Sequence, residues 1–112
     1  MADKKVKVLF NPLVGNDWSF DPLTTKLNAK GKIVFSRDPA SAKFKFVSFN
    51  PLPQDWSQSL NGAQTILTVY DPLIPPKGQF KYTITVQYKG VYYTSPPVII
   101  GVEGPPIIIN EV

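Results

Sequence analysis

Histidine and cysteine are both absent from this 112-residue chain, and methionine occurs only at position 1. Without histidine there is no imidazole base, no histidine-based triad and none of the commonest metal ligand. Without cysteine there is no disulfide and no thiolate nucleophile, and a reducing compartment is mildly favoured. The two absences together leave no blue-copper ligand set. The seven glycines are scattered and form no phosphate-cradling loop. No apolar run approaches a membrane span. The stretch Val6 to Phe10 after the basic start is too short and too charged for a signal peptide. These exclusions lead to the expectation of a cytoplasmic protein or a virion component, with no cofactor and no membrane partner.

Helical signals are nearly missing as well. Twelve prolines are spread through the chain and no stretch sustains a 3.6-residue period. A motif recurs instead: Phe10-Asn11-Pro12-Leu13, Phe20-Asp21-Pro22-Leu23, Phe49-Asn50-Pro51-Leu52 and Tyr70-Asp71-Pro72-Leu73. Proline removes a backbone donor and pushes the preceding residue out of the helical region. The Asx side chain bonds nearby backbone and holds a turn. Each copy therefore predicts the end of an extended segment.

Between these stops the pattern has a period of two. Strands are predicted at Val6–Phe10, Lys32–Ser36, Lys43–Phe49, Thr65–Tyr70, Phe80–Tyr88, Val91–Thr94, Val98–Val102 and Ile107–Ile109. In the clearest, Phe80, Tyr82, Ile84, Val86 and Tyr88 share one face, and Lys81, Thr83, Thr85 and Gln87 the other. Lys89-Gly90 then reverses the chain. The alternation of Lys43 to Phe46 changes phase across Val47-Ser48-Phe49, which predicts a bulge. Short helical turns are expected at Asp38–Ala42 and Gln54–Ser57. The expected fold is all-β, an immunoglobulin-like Greek-key β-sandwich of seven to eight short strands in one domain spanning 1–112.

Carboxylates are the remaining source of chemistry. Asp21, Asp38 and Asp71 each precede a proline, where turn capping explains them. The acidic residues form no cluster for sugar hydrolysis and no calcium-loop spacing. The expectation is a protein that is not an enzyme. The net charge of +4 reads as a solvated surface.

Candidate binding residues are aromatic. Trp18 and Trp56 each sit in an Asp-Trp-Ser triplet, and Tyr92 and Tyr93 are adjacent on a predicted hairpin. Exposed rings beside polar groups can stack on a glycan or anchor a protein ligand. The competing reading has each tryptophan plugging an open end of the sandwich. Of Tyr92 and Tyr93, one should face the core and one solvent. The tail is apolar on both parities between two Pro-Pro pairs, so Ile99, Ile107, Ile108 and Ile109 are candidate contacts of a homo-oligomer. Two functional classes follow: a self-associating structural module, or a binding module for a glycan or protein.

From Leu73 to Val98 the chain resembles the end of a fibronectin type III or immunoglobulin-like domain. A Leu-x-Pro turn at Leu73-Ile74-Pro75 leads into a Tyr-containing strand, a Gly hairpin and Ser95-Pro96. The resemblance implies that Tyr82 sits near the tyrosine-corner position, its hydroxyl bonded back to backbone. Through Tyr70-Asp71-Pro72, the Tyr82–Tyr88 strand and the proline-bounded Ile/Val tail, the chain also resembles the DP-EP family of small bacterial β-sandwich proteins. It departs from that family's name-giving pairs with Ser95-Pro96 and Glu103-Gly104-Pro105. That resemblance implies no activity. The stretch Lys43–Phe49 is similar to part of the aromatic strand of RNA-recognition modules, but it lacks their glycine and the chain lacks their helices. No nucleic-acid partner is expected.

Overall fold

The computed structural model describes residues 2–11, 17–39, 41–73, 77–96 and 106–111. Among the described residues, eleven strands run in order: β1 (Ala2–Asn11), β2 (Asp17–Asp21), β3 (Thr24–Leu27), β4 (Gly31–Arg37), β5 (Lys45–Asn50), β6 (Ser57–Leu60), β7 (Ile66–Asp71), β8 (Gly78–Lys81), β9 (Thr83–Tyr88), β10 (Val91–Thr94) and β11 (Ile107–Asn110). They form three sheets, in the orders β2-β1-β4-β7-β6, β10-β9-β5 and β3-β11-β8. The class is all-β as expected. The count corrects the expected seven to eight strands.

The strand ends follow the repeated motif. β1 stops at Asn11, β2 at Asp21, β5 at Asn50 and β7 at Asp71, the Asx residue of each copy. The aromatic residue before it points inward in three cases, with Phe10, Phe20 and Phe49 buried. The predicted bulge is present, since Phe46 pairs with Val86 and Ser48 with Thr85, leaving Val47 over. Lys89 and Gly90 both take positive φ, 50° and 78°, the left-handed pair that a two-residue hairpin requires. The two expected helical turns are single tight turns, with Ala42 N–H donating to Pro39 O and Trp56 N–H to Pro53 O.

Three features depart from the sequence reading. β1 begins four residues before Val6, because parallel pairing with β4 gives Ala2 to Lys5 a ladder their side chains do not advertise. The predicted strand Phe80–Tyr88 is two strands: β8 pairs with β11, and β9 pairs with β5 and β10. Tyr82 lies between them and the chain changes sheets there. The predicted strand Val98–Val102 lies outside the described residues.

The core forms where the first sheet meets the second. Val6, Val8, Ile33, Phe35, Leu67 and Val69 face Phe46, Phe49, Ile84 and Val86, all fully buried. The Phe35 and Phe49 ring centroids meet across the two sheets at 6.0 Å, and Phe44, just ahead of β5, lies 5.9 Å from Phe10. Burying each of these side chains contributes about 1.5–3 kcal/mol. Tyr82 sits at the centre, against Phe49 (4.9 Å), Phe35 (5.5 Å) and Phe20 (5.9 Å). The third sheet closes the core with Leu27 and Ile108.

Candidate functional site

Both tryptophans are buried, which favours the reading in which each ring plugs the fold over the one in which it stacks on a ligand. Trp18 is 4 % exposed and Trp56 5 %. The Trp18 ring lies 4.5 Å from Phe10 and stacks on Phe20 at 6.2 Å. Trp56 lies 4.9 Å from Phe80 and 6.5 Å from Phe49. The polar neighbours misled because Trp18 is a strand residue, so the exposed Ser19 after it belongs to the opposite face.

The tyrosine pair divides as expected. Tyr93 is half-buried, its ring 5.0 Å from Phe10, and Tyr92 is 63 % exposed. The tail residues are not free surface. β11 is the middle strand of the third sheet, Ile108 is fully buried within the one chain, and Ile107 and Ile109 are half-buried. Ile108 is therefore spent inside the chain, Ile107 and Ile109 keep part of their surface, and Ile99 lies outside the described residues.

The polar interior is small. Asp71 ends β7 fully buried. Its Oδ1 accepts from Leu73 N–H at 2.8 Å and from Asn110 Nδ2 at 3.2 Å, tying the first sheet to the third. Desolvation raises its pKa above the ordinary 3.8, and the Leu73 amide and Asn110 side chain oppose that rise. Its Oδ2, the Thr25 hydroxyl, the Trp18 indole N–H and the Tyr82 hydroxyl are buried with no hydrogen-bond partner among the described residues. The tyrosine-corner bond implied for Tyr82 is thus not among the contacts of the described residues, and burial pushes its phenol above the ordinary range. No group of three or more acidic, His or Cys side chains among the described residues is placed to hold a metal. No helix of the described residues is long and apolar enough to cross a membrane.

The second sheet has two edges, and they differ. Along β5, Phe49 N–H donates to Gln58 Oε1 at 2.8 Å, and Gln58 Nε2 returns a bond to Phe49 O at 3.1 Å. Phe46 N–H donates to Gln64 O at 2.8 Å, and Gln64 Nε2 donates to Phe46 O at 3.0 Å. Two glutamines thus stand where another strand would, so the β5 edge is occupied. Along β10, Ser95 N–H donates to Ile84 O, which makes Ser95–Ile84 a hydrogen-bonded pair. Bonded and non-bonded pairs alternate in an antiparallel ladder. Tyr92 and Thr94, opposite Gln87 and Thr85, are therefore in non-bonded pairs, and their N–H and C=O groups point away from β9. The two most exposed large apolar side chains among the described residues, Val91 (50 %) and Tyr92 (63 %), stand on this open edge.

The sequence carried signals for Tyr92 and Tyr93 but none for the glutamines, whose partners lie nine and eighteen residues away. Against models of known protein families and against curated proteins, the chain shows no match.

Proposed function

We propose that this chain is a non-enzymatic structural domain that self-associates, the β10 edge of one copy pairing antiparallel with β10 of a second. The observation that carries this reading is the contrast between the glutamine-occupied edge at β5 and the edge at β10, which is open among the described residues. An edge with unpaired backbone groups and exposed apolar side chains is a template for strand addition.

The second copy is the favoured occupant because the strand is complementary to itself. About a two-fold axis at Tyr93, Tyr92 meets Thr94 of the second copy, and each such pair exchanges two ladder bonds. Val-Tyr-Tyr-Thr carries no charge, so two molecules of net charge +4 meet there without repulsion along the strand. Each new backbone bond adds about 0.5–1.5 kcal/mol net. Association costs several kcal/mol in lost freedom. A four-residue edge therefore gives a weak dimer, in the class burying under about 1,200 Å².

An immunoglobulin-like sandwich goes with this proposal. Its support is the packing of the second sheet on the first and the two crossings that carry the chain from β4 to β5 and back to β6. A cytoplasmic or virion setting is also part of it, supported by the missing cysteine.

The test is sedimentation of the wild-type chain and of Tyr92→Lys across a dilution series. The expected result is a monomer–dimer equilibrium that the lysine variant shifts to monomer, with its fold retained. A wild-type chain that stays monomeric at millimolar concentration overturns the proposal, as does an unchanged dimer in Tyr92→Lys.

A further inference from the structure

The outer face of the first sheet carries a feature unrelated to the β10 edge. Lys32 on β4 pairs with Tyr70 on β7, and Tyr70 with Ser57 on β6. One row along, Thr68 on β7 pairs with Ser59 on β6. These five residues, with Gln58, line an open groove of about 430 Å³. That volume falls within the range of small-ligand sites. The groove exists because Ser57 and Ser59 are short while Lys32 and Tyr70 stand beside them.

The state of these groups matters more than the volume. Among the described residues the side chains of Lys32, Ser57, Ser59, Thr68 and Tyr70 make no hydrogen bond to the protein. On the outer face of the second sheet, by contrast, Thr85 and Thr94 bond each other at 2.8 Å. Gln58 spends its amide on Phe49 and so offers the groove little. Four free hydroxyls and one ammonium therefore converge on a single concave surface.

We propose that this groove binds a segment of an acidic glycan, a polyhydroxylated chain bearing a carboxylate. Hydroxyls that both donate and accept match sugar hydroxyls, which do the same. The half-buried Tyr70 ring presents an apolar face with a polar tip, suited to one face of a pyranose. Among the described residues Lys32 is the one charged side chain in the lining, with no carboxylate beside it there, which favours an anion. A lipid or an apolar peptide would need apolar anchors that this lining lacks. An open groove across three strands suits a polymer segment rather than an enclosed small molecule.

The test uses tetragalacturonate as the probe and cellotetraose as the neutral control, with amide shifts followed by NMR on the full chain. Tetragalacturonate should move the signals of Lys32, Ser57, Ser59, Thr68 and Tyr70 and leave β10 unmoved. Lys32→Met, which keeps the aliphatic stem, should weaken binding about two- to five-fold, on the scale of one lost exposed charged contact, and Tyr70→Ala should abolish it. Equal binding of the two sugars, or no effect of Lys32→Met, overturns the acidic assignment. Absence of shifts in the five groove residues with tetragalacturonate overturns the proposal. Because the groove and the β10 edge belong to different sheets, loss of one leaves the other standing.

Discussion

At the β5 edge of the second sheet, two side-chain amides occupy the backbone positions a neighbouring strand would use. At the β10 edge, the same kind of backbone groups at Tyr92 and Thr94 meet no partner among the described residues. The β5 edge lies under the turn region of β6 and β7, so the molecule closes it on itself. The β10 edge follows a tight hairpin, has no overlying segment among the described residues and exposes Val91 and Tyr92. A sheet edge, on this comparison, is closed by whatever supplies a donor and acceptor at ladder spacing, and a glutamine does so as well as a strand.

The comparison breaks first at the tail. If β11 is interior, Ile108→Asp buries an unpaired charge and should lower stability by more than about 4 kcal/mol, read by urea unfolding. A folded variant that merely changed mass would return the tail to the surface and remove β10 as the natural interface.

Next in size is the closed edge itself. Gln58→Leu keeps the bulk but strips both bonds from Phe49, and should cost about 2–3 kcal/mol. It should also raise the mass in light scattering, because a second edge is now open. Unchanged stability would mean that the glutamine decorates the edge rather than closes it.

The seam between the first and third sheets offers a third comparison, through pH. Asp71 holds its proton more tightly folded than unfolded. Between the ordinary 3.8 and its raised value, the fold carries the proton and the unfolded chain does not. Its contribution to stability therefore falls as pH rises across that window and returns on acidification. Asp71→Asn retains the acceptor for Leu73 and should flatten this slope in melts taken from pH 3 upward (on the order of three pH units). A slope identical to wild type would remove Asp71 as its source.

The smallest effect belongs to the open edge. Thr94→Pro deletes a donor that no described residue uses and a surface hydroxyl bond to Thr85, so it should cost at most about 1 kcal/mol while abolishing the dimer. A larger loss would show that Thr94 N–H bonds inward and that β10 has no free ladder at that position.

The four Asx-Pro copies were legible because their effect is covalent and local: each fixes where a strand must stop, whatever surrounds it. The Val47 bulge and the Lys89-Gly90 hairpin were legible for the same reason. The break at Tyr82 was not, because alternation continues unbroken from Phe80 to Ile84 and gives the face of a residue without its sheet. Trp18 misled because period two sets its buried ring beside an exposed Ser19, and Trp56 because a tight turn from Pro53 tucks it in just before β6. Gln58, Gln64 and the groove residues act through pairings between separate strands, which a single chain read in order does not display.

Tyr82 has one more consequence, a mechanical one. It is the single residue between the ladder that holds β11 and the ladder that holds β5. Its ring is wedged among Phe20, Phe35 and Phe49. A tension applied to the third sheet therefore passes to the second with no slack segment to take it up. The ring at their junction is the rivet between the two sheets.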